Sequence, residues 1–115
     1  MKVGKVWGTT ELMLKTPFLE VHRLTILPNM QCSMHKHNFK HNCFIVVEGH
    51  LSIETKKLDY ALTDVTELDP EDFTTVKPGE YHRFRSGPEG CTAFEMYYCE
   101  PLSEYIIRAD VWGAA

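Results

Sequence analysis

The stretch Met34-His35-Lys36-His37-Asn38-Phe39-Lys40-His41, followed closely by the apolar run Cys43–Val47, decides the fold and the chemistry expected of this chain. It holds three of the six histidines within seven residues. Side chains alternate along an extended strand, so His35 and His37 are predicted to point to the same side. A fourth histidine, His82, follows a Pro-Gly turn later in the chain. Two imidazoles on one face, with a third folding over them, indicate a divalent metal site inside a β-barrel.

Size and charge limit the classes of protein to which the chain can belong. Its 115 residues suffice for one domain, 1–115, with one core. The net charge of −4 argues against a nucleic-acid surface and against a polybasic membrane anchor. No apolar run approaches the roughly 18 residues that a membrane span requires, and the N-terminal residues lack the apolar core of a signal peptide. We therefore expect a cytoplasmic protein whose four cysteines are thiols, most of them buried.

Short segments rich in β-branched and aromatic residues alternate with Gly and Pro turns along the whole chain. The clearest segments are Leu19–Leu27, Met30–His37, Cys43–Glu48, Leu51–Thr55 and Cys91–Cys99. The nearly continuous apolar run from Cys43 predicts a strand buried on both faces, and the glycines at 49 and 90 predict turns between strands. About eight to ten short strands, with at most one brief helix near 103–108, predict an all-β sandwich or barrel such as a small jelly roll.

Two segments, Met34–Gly49 and Val76–Phe84, resemble the two cupin motifs. The first motif has two histidines one residue apart, then a carboxylate and a glycine; the second has Pro-Gly, two residues and a histidine. The resemblance implies a cupin-type double-stranded β-helix, which is a jelly-roll barrel. It also implies that His35, His37 and His82 bind one divalent ion, with Zn, Mn, Fe, Co and Ni as the candidates. Because cupins host many chemistries, the motifs specify the fold more closely than the function.

Further stretches extend the resemblance to type II mannose-6-phosphate isomerases; they are Val6–Gly8, Val21–Thr25, Ile45–Gly49, Tyr81–Arg83 and Ser103–Arg108. The resemblance implies that the partner is a small polar molecule such as a sugar phosphate. Asn42, Tyr81 and Arg83 are the candidate substrate contacts, although strand alternation opposite His82 also allows Arg83 to face outward. By analogy with small cupins, we expect a homodimer that pairs through a strand edge.

The fourth ligand position departs from the pattern of the family. Counting back from Gly49, Asn42 stands where the family has a glutamate. A neutral amide is a poor ligand for a divalent ion and a poor base. The neighbouring His41 completes a four-histidine set if a β-bulge turns it inward. Alternation leaves both options open, since either residue can belong to the buried face of the strand.

Three functions are compatible with such a site. The leading one is a metal-dependent isomerase of a sugar or sugar phosphate, in which the ion stabilises an enediolate and an unassigned base moves the proton. The second is an iron or manganese cupin dioxygenase, because three neutral histidines leave open positions on the metal. The third is a non-catalytic cupin that binds a small ligand, which the loss of the family's carboxylate favours.

Overall fold

The computed structural model describes residues 1–56 and 62–99, and these residues confirm the predicted all-β class. They form seven antiparallel strands: β1 (Lys2–Lys5), β2 (Gly8–Lys15), β3 (Leu19–Ile26), β4 (His41–Lys56), β5 (Thr63–Leu68), β6 (Phe73–Val76) and β7 (Tyr81–Tyr98). The strand order is β1-β2-β3-β7-β4-β5, and β6 also pairs with β4. The described residues contain no helix, and hence none long and apolar enough to cross a membrane. The predicted helix at 103–108 lies outside these residues.

The two longest strands, β4 and β7, bend together and carry most of the pairing. The first part of β4, His41–Gly49, pairs with Cys91–Tyr98 of β7, while Leu51–Lys56 pairs with Tyr81–Ser86. The turns that the sequence predicts at the glycines of these two strands are therefore wrong. Gly49 and Gly90 each lie at a bend inside a continuous strand. Each of the two long strands therefore replaces two of the short strands that the sequence predicts.

The bend contains two glycines, Gly49 and Gly90, whose backbones approach each other closely. Gly49 has a φ of +82° and Gly90 a φ of +79°, a region that glycine enters without steric cost. A Cβ on Gly49 would lie 2.2 Å from the carbonyl oxygen of Gly90. The pairing of β4 with β7 also shifts register between Val46 and Glu48 and again between Gly49 and Leu51. The glycines thus permit a bulged corner that no larger residue could form.

The corner changes which positions of β4 face the interior. Even-numbered positions from Asn42 to Val46 are buried before it, and odd-numbered positions from Leu51 to Thr55 after it. The predicted burial of this segment on both faces is wrong, because Val47 on the outer face is 47% exposed. The buried apolar core comprises Leu24, Ile26, Cys32, Phe44, Val46, Leu51, Ile53, Leu68, Val76, Phe84, Cys91 and Ala93.

The four cysteines are free thiols, as predicted. Cys32 and Cys91 are buried, whereas Cys43 is half-buried and Cys99 is exposed. Burial raises the pKa of both buried thiols to about 11, so they are neutral at physiological pH. Their contribution is therefore that of small apolar side chains.

The inner surface is apolar at one end and polar at the other. Strands β3, β7 and β4 lie side by side, so residues directly opposite one another form rows across the barrel wall. One row is Leu24, Ala93 and Val46; the next is His22, Glu95 and Phe44; the third is Glu20, Tyr97 and Asn42. These rows therefore place the buried polar residues Glu95 and Asn42 toward the end of the barrel wall where β4 begins and β7 ends.

His50, at the corner of β4, is held between two carboxylates at the end of β5. Its Nδ1 lies 2.9 Å from Asp69 Oδ1, and its Nε2 bonds Glu67 Oε2. The hydrogen bond to Asp69, and then that to Glu67, raises the pKa of His50 above its ordinary value of about 6.5. Because the folded-state pKa is raised, this stabilisation is complete below the unfolded pKa and is lost as pH rises through the folded one.

We therefore expect NMR titration to place the pKa of His50 above about 6.5 in the folded protein. We also expect the free energy of unfolding to fall more steeply as pH rises through that pKa than in His50→Gln. The measurement is urea denaturation of both proteins at a series of pH values. Parallel pH profiles for the two proteins would contradict this prediction.

Candidate metal centre

The segment that carries His35 and His37 lies along the first half of β7. The His35 N–H donates to the carbonyl of His82 at 3.0 Å, and the His82 N–H donates back to the carbonyl of His35 at 2.7 Å. The Gly79 N–H donates to the carbonyl of His37 at 2.8 Å, which holds the Pro-Gly turn against the same segment. The prediction of a regular strand over Met30–His37 is wrong, because this segment pairs with β7 only through isolated bridges.

This pairing brings three imidazoles together. The potential ligand nitrogens of His35, His37 and His82 all lie within 4.8 Å of one another. The ring centroids of His35 and His82 are 4.4 Å apart, and those of His35 and His37 are 5.2 Å apart. The predicted convergence of histidines from two separate segments is confirmed.

The hydrogen bonds of the rings leave nitrogen lone pairs available. His35 Nδ1 donates to the carbonyl of Ser33 at 2.8 Å, and His82 Nδ1 donates to the carbonyl of Glu80 at 3.3 Å. A carbonyl only accepts, so Nδ1 carries the proton in both rings and Nε2 keeps its lone pair. The lone pair of His82 Nε2 faces Asn42 Nδ2 at 3.5 Å, the only hydrogen-bond contact of this nitrogen among the described residues. The Nε2 of His37 is buried and has no hydrogen-bond partner among the described residues. Backbone carbonyls orient metal-binding histidines in this way, and the unpartnered nitrogen fits a missing ligand bond.

Burial favours the neutral form of His37 and His82, which is the form that binds a metal. Burial, reinforced by the neighbouring His35 and His37, lowers the pKa of His82 to about 4. Burial, followed by the charges of His35 and Lys40, lowers the pKa of His37. Neutral imidazole is the ligand form of histidine, and a set of three histidines suits Zn, Fe, Mn, Co or Ni. His35, His37 and His82 could therefore hold one divalent ion.

Of the two candidates for the fourth ligand position, Asn42 faces the histidine cluster and His41 does not. His41 points away from the cluster and stacks on Tyr98, with ring centroids 5.0 Å apart and planes 8° apart. The bulge needed to turn it inward is absent, because β4 pairs regularly with β7 from His41 to Val46. Asn42 is the residue that faces the interior, where it is 1% exposed. Its Nδ2 lies 3.5 Å from His82 Nε2.

A cavity of about 450 Å³ lies beside the histidines. It is lined by Lys5, Trp7, Thr10, His22, Leu24, Cys32, Ser33, His35, Phe84, Glu95 and Tyr97. Trp7 packs edge-on against the core residue Phe84, with the ring centroids 4.9 Å apart. The Trp7 ring therefore contacts the core and also lines the cavity. The predicted contacts Tyr81 and Arg83 lie on the opposite face of β7 from His82, and neither lines this cavity.

Sequence reasoning missed Glu95, a buried carboxylate on the cavity wall. Glu95 is 7% exposed, and its Oε2 accepts a hydrogen bond of 3.0 Å from Asn42 Nδ2. The hydroxyl of Tyr97 also bonds it. Burial raises the pKa of the Glu95 carboxyl above its usual range, against the opposing effect of these two hydrogen bonds. One feature of the sequence could have indicated Glu95: it is the single charged residue in the segment Cys91–Cys99, which is otherwise apolar and aromatic enough to be buried.

The sequence matches no protein-family model and no curated protein. Similarity appears in the fold. The cupin domain of Cnp3 from Schizosaccharomyces pombe has a TM-score of 0.70 and 10% identity, over 80% of this chain and 61% of that one. KdgF from Halomonas sp. has a TM-score of 0.69 and 14% identity, over 81% and 79%. CapF, a capsular polysaccharide assembling protein of Staphylococcus aureus, has a TM-score of 0.78 and 17% identity, over 90% and 30%.

These similarities confirm the predicted fold, a cupin jelly roll. The chain spans 61% of the Cnp3 chain and less than a third of CapF, and all three identities are low. Fold similarity of this kind transfers architecture and not activity. The narrower resemblance to type II mannose-6-phosphate isomerases stays a prediction from the sequence.

Proposed function

We propose that this chain is a metal-dependent isomerase of a sugar or sugar phosphate. The observation that carries the proposal is the histidine cluster opening, through His35, onto a cavity of about 450 Å³. Sites for small molecules begin at roughly 300 Å³, so the cavity suits a monosaccharide. CapF, a neighbour in fold, is a capsular polysaccharide assembling protein, which is in keeping with a saccharide ligand.

The groups around the cavity fit a polyhydroxylated substrate. Thr10 and Ser33 offer hydroxyls, and the ring of Trp7 offers an apolar surface for the C–H face of a sugar. Lys5 supplies a cation at the cavity wall that can pair with a phosphate or carboxylate. Together these side chains would orient the substrate and displace water from it.

His35, His37 and His82 are the residues that would hold the ion. When bound, a divalent ion supplies Lewis acidity to adjacent oxygens of the open-chain sugar, which favours loss of a proton from the carbon between them. The chain itself must provide the group that carries this proton.

A second function has one observation in its favour. The three histidines form a neutral set with no carboxylate among them, and such a set leaves positions on Fe(II) for a substrate and oxygen. Iron-dependent oxygen uptake on adding a small organic acid or polyol would identify this alternative. A protein that purifies with zinc and stays inert with iron would exclude it.

The test of the isomerase proposal begins with elemental analysis of the purified protein. The metal-loaded protein is then incubated in D2O with a panel of aldoses and ketoses, free and phosphorylated, in the presence of Zn, Co or Mn. NMR should detect aldose–ketose conversion with deuterium incorporated at the exchanging carbon. Stabilisation by a sugar in a thermal-shift screen, without any exchange, would instead identify a binding module. No conversion and no stabilisation would reject both.

We further propose that the chain forms a homodimer through the β1–β2 hairpin and works in the reducing cytoplasm. Strand β1 lies at an edge of the sheet with all four residues exposed. The hairpin also exposes apolar side chains, namely Val3, Val6, Leu12, Met13 and Leu14. Unpaired strand edges favour association. Light scattering on the wild type and on Leu14→Lys would detect a dimer and its loss.

A further inference from the structure

The sheet register places one carboxylate inside the cavity that adjoins the histidines. Inward positions of β7 alternate as Ala93, Glu95 and Tyr97, and Glu95 lies directly opposite His22 on β3 and Phe44 on β4. Ala93 belongs to the apolar core. Glu95 therefore stands at the boundary where the core ends and the cavity begins, with its side chain directed to the interior.

Glu95 is connected to the histidine cluster through a single amide. Its Oε2 accepts from Asn42 Nδ2 at 3.0 Å, and the same Nδ2 lies 3.5 Å from His82 Nε2. The Tyr97 hydroxyl bonds the carboxylate as well. The carboxylate and His35 line the same cavity, so a molecule held at the histidines would lie against Glu95.

The contacts of Glu95 do not include the ion pair that would be expected of a buried carboxylate with a purely structural role. Among the described residues, no lysine or arginine forms an ion pair with it. A buried carboxylate without a cation carries a desolvation cost that its hydrogen bonds offset only in part. Two neutral donors, Asn42 and Tyr97, hold the group in place and leave it able to accept a proton. Burial moves its pKa upward from the ordinary value of a glutamate.

We infer that Glu95 is the catalytic acid–base that carries the proton between adjacent substrate carbons, an inference that rests on the proposed isomerase function. The carboxylate takes the proton from C2 of the open-chain aldose, the C–H electron pair forms the C1–C2 double bond, and the aldehyde oxygen gains the negative charge. Glu95 then returns the proton to C1. The O2 proton passes to O1, which leaves the ketone at C2. No oxidant or reductant is consumed.

The test compares wild type, Glu95→Gln and Glu95→Asp in the D2O exchange assay, with metal content and melting temperature measured on each. Glutamine keeps the size of the side chain and an oxygen that accepts from Asn42, but it cannot carry the proton. We expect Glu95→Gln to keep its metal and a melting temperature at or above that of wild type, because a buried charge is removed. Its exchange rate should fall roughly 100-fold or more. Glu95→Asp, whose carboxylate is retracted by one methylene, should lose about 10-fold or more with metal retained.

Glu54→Gln is the matched control. Glu54 is on the outer face of β4 and pairs with Arg85 at 3.4 Å, so its exchange rate should stay within about two-fold of wild type. An active Glu95→Gln or a fully active Glu95→Asp would overturn the role of Glu95 and leave the isomerase proposal standing. Loss of activity together with loss of metal or a lowered melting temperature would make Glu95 structural, and so also overturn it. A wild type that converts no sugar would remove the isomerase proposal, and this inference with it.

Discussion

His35→Ala is expected to reduce bound divalent metal from about one ion per chain to less than about a tenth of that. His35 supplies one of three imidazoles, and its Nδ1 is already held by the carbonyl of Ser33, so its Nε2 is directed for coordination. Removing one of three histidines leaves two neutral ligands, which bind such ions weakly. The measurement is elemental analysis after dialysis against a metal-containing buffer.

The fold should survive this substitution. His35 is half-buried in a segment that pairs with β7 through isolated bridges, and the core that holds the sheet together is apolar. Far-UV circular dichroism of His35→Ala should therefore match that of wild type. Metal should raise the melting temperature of wild type but not that of the variant.

His41→Ala is the matched control for the metal measurement. His41 is a nearby histidine that stacks on Tyr98 and lies outside the cluster. It should retain the metal content of wild type. Full metal binding by His35→Ala, or loss of metal in His41→Ala, would show that the ion is held by a different set of residues.

Gly49→Ala is expected to lower the free energy of unfolding by about 3 kcal/mol or more. Two costs combine at this position. The φ of +82° lies in a region that non-glycine residues rarely adopt. The new Cβ would also lie 2.2 Å from the carbonyl oxygen of Gly90. Since both atoms at this contact are fixed by the backbone, the corner of β4 and β7 must open to relieve it.

Gly79→Ala separates these two costs. Gly79 has a φ of +84°, nearly the same as Gly49, but a Cβ built there meets nothing within 4 Å. Its cost should be that of the backbone conformation alone, about 1–2 kcal/mol. Urea denaturation of both variants measures the difference. Equal destabilisation would mean that the contact with Gly90 contributes nothing to the requirement for glycine.

Local patterns in the sequence predicted the strand-rich structure. The resemblance to the cupin motifs predicted a metal cluster of His35, His37 and His82, with His41 as an alternative fourth member that lies outside the cluster. Alternation alone placed His35 and His37 on one side, and the Pro-Gly turn placed His82 at the start of a strand. These two local features depend on residues close together in the chain, and so they can be derived from spacing and side-chain chemistry. That His82 meets His35 depends on pairing between segments distant in the chain.

The face of β4 that turns inward could not be derived in this way. Asn42 and His41 differ by one position, and a shift of one residue in register exchanges the two faces of a strand. The choice is made by the regular pairing of β4 with Cys91–Tyr98, far along the chain, which buries Asn42 with Phe44. The sequence did not decide between His41 and Asn42, because either face of this segment has enough apolar side chains to be the buried one.

The glycines of β4 and β7 illustrate the same limit. A glycine between two apolar segments normally indicates a turn, yet Gly49 and Gly90 lie within continuous strands, where Gly49 pairs with Cys91 and lies against the carbonyl of Gly90. A turn and a bulged corner require the same left-handed backbone and so the same residue. Only the pairing partner distinguishes them.

The sequence by itself predicted a small all-β chain, because that property follows from alternation and composition, and its resemblance to the cupin motifs predicted that His35, His37 and His82 converge. The tertiary structure alone decided that Asn42 rather than His41 faces those histidines and that Glu95 joins them. Both results depend on the register between strands that are distant in the chain. That register is set by the collective packing of the barrel wall, which no local pattern encodes.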